Sequence, residues 1–226
     1  RVWATFREPR ALNTQAEVLF SAIIEQAIRT SFDFNRREIR AEAGVRVSPV
    51  YTLSGLYSLQ NTKLFNVNIA PEEEPIIDRL FPQVRIGKVS GSIIRDSRDD
   101  PLDASSGSLF IFTTDLAARL LGSEVGFVKT LAQGFFYRQL PAPRRLVLAL
   151  GARVGAAHGF LRVVDDLVVQ DLPASERFFA GGDTSVRGFS LDRLGDERTI
   201  TTTGFPTGGN GVVVLNSELR FNLTTK

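Results

Sequence analysis

Cysteine and methionine are absent from the 226 residues, and histidine occurs once, at His158. Without cysteine there is neither a disulfide framework nor a thiolate zinc site, and one histidine makes no histidine cluster. No stretch approaches the roughly 18 consecutive apolar residues of a transmembrane helix, so a helical membrane protein is not expected. Charge of one sign is also missing: 27 basic against 25 acidic residues give a net charge of +2. That balance lacks the concentrated basic patch expected of a nucleic-acid partner. The chain starts at Arg1 and shows no charged leader followed by an apolar core and a small-residue cleavage site. It is therefore expected to be a segment of a longer polypeptide.

Period-two alternation fills most of what remains. Leu146, Leu148, Leu150, Ala152 and Val154 interleave with Val147, Ala149, Gly151, Arg153 and Gly155. Val18, Phe20, Ala22 and Ile24 alternate with Glu17, Ser21 and Glu25, and Ile39, Ala41, Ala43, Val45 and Val47 with Glu38, Arg40, Glu42, Gly44 and Arg46. Near the end, Val213, Leu215, Leu219 and Phe221 alternate with Asn216, Glu218 and Arg220. About nine strands are expected, near residues 1–8, 16–30, 37–48, 50–66, 84–96, 108–121, 124–139, 144–157 and 211–223. Most exceed the roughly 9–11 residues that a tilted strand needs to cross a bilayer, and they are longer than the roughly five or six of soluble sheets.

A soluble antiparallel sheet also alternates. Here several strands carry three or four charges on the polar face, and none has a central fully apolar stretch. An antiparallel transmembrane β-barrel, with lipid outside and a wet lumen inside, accommodates both features. On this pattern Leu148, Leu150, Phe110 and Phe112 face lipid, whereas Arg153, Asp115, Arg119 and Glu218 face the lumen.

Connections alternate in size. Pro49, the run Asp99 to Asp103 and Pro141-Ala142-Pro143 mark tight turns; the acidic run Ala70 to Pro75 and the long stretch 158–210 fall on the other side. Loops of that second length are functional or disordered. Glycines within it allow tight turns, aromatics can anchor it, and Arg187 offers a rigid fork of donors for an acidic partner. A phosphate-cradling loop is the rival reading of these glycines, but the Lys-Ser/Thr ending of a Walker motif is missing, and no amphipathic helix follows to make a dinucleotide fold. Asp165-Asp166 and Glu72 to Glu74 read as solvated acidic runs rather than a calcium loop, and His158 as a rim residue rather than part of a catalytic triad.

The run LPASERFFAGGDTSVRGF from Leu172 to Phe189 resembles the sixth extracellular loop of the BamA/TamA superfamily, with its Arg-Gly-aromatic tripeptide. Within it Gly181, Gly182, Asp183, Val186, Arg187, Gly188 and Phe189 match the loop motif, and Arg177, Phe178 and Phe179 stand as loop anchors. Arg95, Asp96, Arg98, Asp99, Pro101 and Gly107 resemble a periplasmic turn of the same superfamily, and Thr207 to Asn210 leading to Asn216 to Phe221 resembles the loop exit and the next strand.

The resemblance implies a sixteen-strand barrel behind periplasmic POTRA domains, with residues 1–226 supplying about strands four to twelve. The upstream domains, the first and last strands and the lateral seam then lie outside this chain. It implies a bacterial outer-membrane insertase without covalent chemistry, metal or cofactor. Its expected partners are membrane lipid, nascent outer-membrane proteins and either accessory lipoproteins or an inner-membrane protein, with no nucleic acid. The resemblance also implies that the usual acidic partner of the loop arginine lies on a strand after this segment, which leaves Glu218 and Asp115 as secondary lumenal partners for Arg187. A two-partner secretion pore is the alternative, and an outer-membrane enzyme or passive porin the third reading.

Overall fold

The computed structural model describes residues 2–11, 14–28, 33–65, 84–141, 146–164, 167–170, 172–183, 185–200, 206 and 208–221. The acidic runs Glu72 to Glu74 and Asp165-Asp166, together with Thr207, lie outside these residues. Nine strands form one antiparallel sheet: β1 (Val2–Glu8), β2 (Ala16–Ile28), β3 (Asp33–Arg46), β4 (Tyr51–Phe65), β5 (Arg85–Asp96), β6 (Gly107–Ala117), β7 (Phe127–Leu140), β8 (Leu146–Gly159) and β11 (Gly211–Phe221). Between β8 and β11 sits a small hairpin, β9 (Arg162–Val164) with β10 (Leu167–Val169). Every neighbour in the large sheet except β8 and β11 is also consecutive in sequence. The meander keeps contacts local and pairs the seven inner strands on both sides, the condition a membrane imposes on any spanning structure.

Register fixes the faces. One row runs Phe20, Ala41, Tyr57, Val89, Leu116 and Val128 across six strands, and a row on the opposite face runs Leu19, Glu42, Leu56, Ser90, Asp115, Lys129 and Ala157. The first face is open and greasy; at its β11 edge Val213 is 70% and Leu215 74% exposed. The second is polar and carries the long β8–β11 connection. Leu148, Leu150, Phe110 and Phe112 lie on the open face, and Arg153, Asp115 and Glu218 on the polar face.

Several expectations need correction, beginning with β3, which starts at Asp33 rather than near 37. The sixth strand ends at Ala117 rather than near 121, because Arg119–Leu121 form a 3-10 turn closed by Gly122 at φ +82°. Arg119 is consequently not on the polar face. The seventh strand begins at Phe127, and the long connection contains the β9–β10 hairpin. A compact apolar core is also present, formed by Ile86, Ala117, Val125, Phe127 and Leu172 at the loop end of the sheet. Its members are too scattered in sequence for any one strand to show it.

Candidate functional site: a loop docked on the polar face

The docking begins where the strand surface is bare. Gly155 and Gly151 in β8 leave no side chain on the polar face, and aromatic rings fill the space. A Cβ at Gly155 would meet the Phe178 ring at 2.6 Å, and one at Gly151 the Phe135 ring at 3.4 Å. Phe178 is buried, and its backbone exchanges two hydrogen bonds with Gly209, 2.8 and 2.9 Å long, which ties the loop entrance to its exit. Leu172 extends the loop into the apolar core, and its carbonyl accepts the Arg177 Nε at 3.0 Å. Phe179 packs over Gly208, whose φ of +72° excludes most side chains.

Next to Phe178 the loop makes an ion-pair cluster. The buried Glu176 carboxylate accepts the Lys88 Nζ of β5 at 2.9 Å and the Lys129 Nζ of β7 at 3.5 Å. Lys88 also stands 3.8 Å from Asp115 in β6, and Lys129 lies 5.1 Å from the centre of the Phe178 ring. Two ammonium groups and two carboxylates thus balance on the polar face, with a cation over an aromatic ring beside them.

The glycine-rich tip is held more loosely. Gly182 and Val186 form an isolated bridge, the Ser185 hydroxyl donates to the Gly181 carbonyl, and the Gly182 N–H donates to the Phe189 carbonyl at 3.0 Å. Gly181, Gly182 and Gly188 all have positive φ. Arg187 Nη2 reaches Glu218 Oε1 at 3.2 Å, but the arginine side chain is 75% exposed. Asp183 and the Phe189 ring are exposed. Asn216 of β11 donates to the Ser185 carbonyl at 3.3 Å. Of the two acids considered for Arg187, Glu218 is the one beside it, while the ion-pair partner of Asp115 among the described residues is Lys88.

At the opposite end of the sheet, the β5–β6 turn is closed by its own side chains. Arg98 chelates Asp96 through Nε and Nη2, at 2.9 and 2.7 Å, and donates from Nη1 to the Pro101 carbonyl. Asp99 accepts the Ser105 hydroxyl and the backbone N–H groups of Ser105 and Ser106. These bonds, the Ser105 hydroxyl first, hold its carboxyl well below the usual carboxylate range. Gly107 has φ +96°, and a Cβ there would stand 2.1 Å from the Ser97 carbonyl oxygen. Arg95 points to the open face and bonds the Ser108 hydroxyl at 2.8 Å.

Sequence reasoning gave no role to Glu176, Lys88, Lys129, Leu172 or Gly155. Parity places Lys88 and Lys129 as lone cations on the polar face of their strands, but water in a lumen satisfies such a charge as well as a carboxylate does, so the sequence carries no signal for Glu176.

A greasy open face, a polar face covered by a folded loop and continuous antiparallel pairing from β1 to β11 define a wall of a transmembrane β-barrel. On β5 the open-face residues between Arg85 and Arg95 are Gly87, Val89, Gly91 and Ile93. That distance is about 33 Å along the strand, or about 25 Å of height at the tilt usual for barrels.

The chain belongs to the Omp85 superfamily, whose domain model matches residues 1–226. It is 32% identical over 136 residues to a SAM50-like protein of Schizosaccharomyces pombe, a match covering 60% of this chain and 26% of that protein. Its fold resembles the crystal structure of BamA from Haemophilus ducreyi lacking POTRA domains 1–3, with TM-score 0.71 and 16% identity over 96% of this chain and 44% of that one. The chain thus spans about a quarter of the curated relative's length and under half of the solved structure's. Superfamily membership makes it part of an outer-membrane barrel.

Proposed function

We propose that the protein containing this chain is an insertase that folds other β-barrel proteins into an outer membrane, and that residues 1–226 form the middle of its barrel behind POTRA domains. The observation that carries this reading is the docked loop. Through Phe178, Glu176 and Asn216 it grips β5, β7, β8 and β11, so the interior is braced rather than left as an open channel. A braced wall suits a machine whose work is done at its edges and at the lipid surface. No covalent step is required: the site binds and holds, and nascent barrel proteins are the clients.

In this reading Arg187 with Glu218 steadies the glycine-rich tip, Phe178 and Arg177 anchor the loop, and the 95–107 turn lies on the periplasmic side with the long loops outside. The resemblance of both segments to BamA/TamA motifs supports a bacterial outer membrane and an accessory lipoprotein or inner-membrane partner. The relative in Schizosaccharomyces pombe supports a eukaryotic organellar membrane as the second location.

A secretion pore is the second function, favoured by the same loop because an interior loop can also gate a channel. Reconstitution of the full-length protein into liposomes tests the two. An insertase accelerates the acquisition of heat-modifiable mobility by a urea-unfolded client barrel. Export of a polypeptide across the vesicle wall without any such acceleration would establish the pore instead.

A further inference from the structure

The 3-10 turn after β6 does not fold toward the lumen. It lies on the open face of β4 and β5, where the Tyr57 hydroxyl donates to the Leu121 carbonyl at 3.1 Å, Gly122 approaches Leu59, and Gly87 leaves the room the turn occupies. Arg85 clamps it from the same face, donating Nε to the Gly122 carbonyl at 2.8 Å. The turn therefore presents Leu120, 96% exposed, at the upper boundary of the apolar band, with Arg119 beside it.

Around the turn the open face changes character. Register puts Arg37, Asn61 and Arg85 in one cross-strand row, with Lys63 two residues further along β4. Two strand spacings separate Arg37 from Arg85, about 10 Å. Arg37, Lys63 and Arg119 are exposed, and among the described residues their side chains have no hydrogen-bond or ion-pair partner. Glu124, a carboxylate adjoining this patch, is bonded to the Arg85 backbone N–H at 3.0 Å, and register puts Asp33 on the same face of β3, four residues before Arg37. Four cations at the edge of a lipid-facing surface, beside a protruding leucine, have the amphipathic character of a phospholipid: an anionic head above an acyl chain.

We infer that this patch binds the phosphate of an anionic lipid, with Arg37, Lys63, Arg85 and Arg119 as donors and Leu120 against the acyl region. The inference rests on the barrel's membrane orientation and not on insertase activity. Guanidinium forks suit phosphate oxygens, and the lysine adds a mobile point charge. Arg85 has a second duty in holding the turn, so the other three are the residues to test.

The detergent-solubilised full-length protein is titrated with phosphatidic acid or phosphatidylcholine, and retained lipid is counted by native mass spectrometry. The parent should retain phosphatidic acid in preference. The variant Arg37→Gln/Lys63→Gln/Arg119→Gln should lose about tenfold or more of that preference, since each cation near an anionic surface changes partitioning roughly fivefold. Arg40→Gln, on the lumenal face, should retain it, and inorganic phosphate in millimolar excess should not displace the lipid. Equal retention of the two lipids by the parent, an unchanged preference in the triple variant, or displacement by inorganic phosphate would each overturn the inference. Client folding in the triple variant is measured separately, so loss of lipid preference with folding intact separates the two proposals.

Discussion

Glu176→Ala is the most direct test of how the lumenal loop is held. The Glu176 side chain is 10% exposed, and the ammonium groups it joins, Lys88 and Lys129, are 21% and 19% exposed. Removing one member of a buried pair costs about 3–5 kcal/mol, and a charge-assisted hydrogen bond alone contributes about 1.5–3 kcal/mol. Lys88 retains Asp115 at 3.8 Å, Lys129 retains the Phe178 ring, and both keep some solvent. The loss therefore falls near the lower range, about 2–3 kcal/mol. That corresponds to a change of about 30- to 150-fold in the docking equilibrium. Trypsin reads it at Arg177, which is partly covered and bonded to the Leu172 carbonyl in the docked loop. When opening is fast relative to cleavage, the initial rate at that bond follows the undocked population. Replacing both partners, Lys88→Met with Glu176→Met, should recover much of the protection, because the desolvation cost leaves with the charges. A rate increase below about fivefold in Glu176→Ala would mean that the cluster behaves as an exposed surface pair, and the bracing argument would fail.

Gly155→Val forces the Phe178 ring away from β8 and should cost about 1–3 kcal/mol of docking, read by the same cleavage. Gly107→Ala combines a positive φ with a carbonyl 2.1 Å from the new Cβ, so it should lower the temperature at which the barrel loses heat-modifiable mobility. Gly91→Ala, which meets nothing within 4 Å, should leave that temperature unchanged. Leu150→Arg on the open face should destabilise the barrel in lipid by about 2–4 kcal/mol, whereas lumenal Thr113→Lys should cost far less; equal effects would reverse the assignment of faces. The Asp99 carboxyl is depressed on folding, so its contribution is complete above the unfolded value of about 3.9 and is lost as pH falls through the lower folded value. Amide exchange at Ser105 and Ser106 should remain slow at pH values just below 4 in the parent and be fast there in Asp99→Asn.

Strand positions and faces were legible because a two-residue period needs no partner to be seen. Leu148 and Leu150 read as outward from their own neighbours, and register places them there. Arg119 failed the same test because the apolar Leu116, Leu120 and Leu121 continue past the end of β6, while Gly122 in the left-handed region turns the chain away. The loop motif was legible as a segment, yet its main anchor was not. Glu176 lies 88 residues from Lys88, and neither residue signals the other in sequence. A charge on a lumenal face is equally consistent with water, so only the folded arrangement distinguishes a solvated lysine from a buried partner.

Strand glycines admit the loops on both faces, although a glycine in a strand ordinarily weakens packing and gives no sign of what covers it. Gly155 opens the polar face to Phe178, and Gly87 opens the lipid face to the Leu121 carbonyl. Adjacent to Gly87 on β5, Lys88 points the other way to hold Glu176, and Arg85 on the same face as Gly87 holds Gly122. The lumenal loop and the lipid-side turn therefore meet β5 within four residues, from opposite faces. This explains why the sheet's apolar core, with Ile86 between these contacts, forms at that end and not at mid-height. A barrel wall wet on one side and greasy on the other has no thickness for an ordinary core, and it acquires one where Leu172 of the lumenal loop closes over Ile86, Ala117 and Phe127 on the polar face.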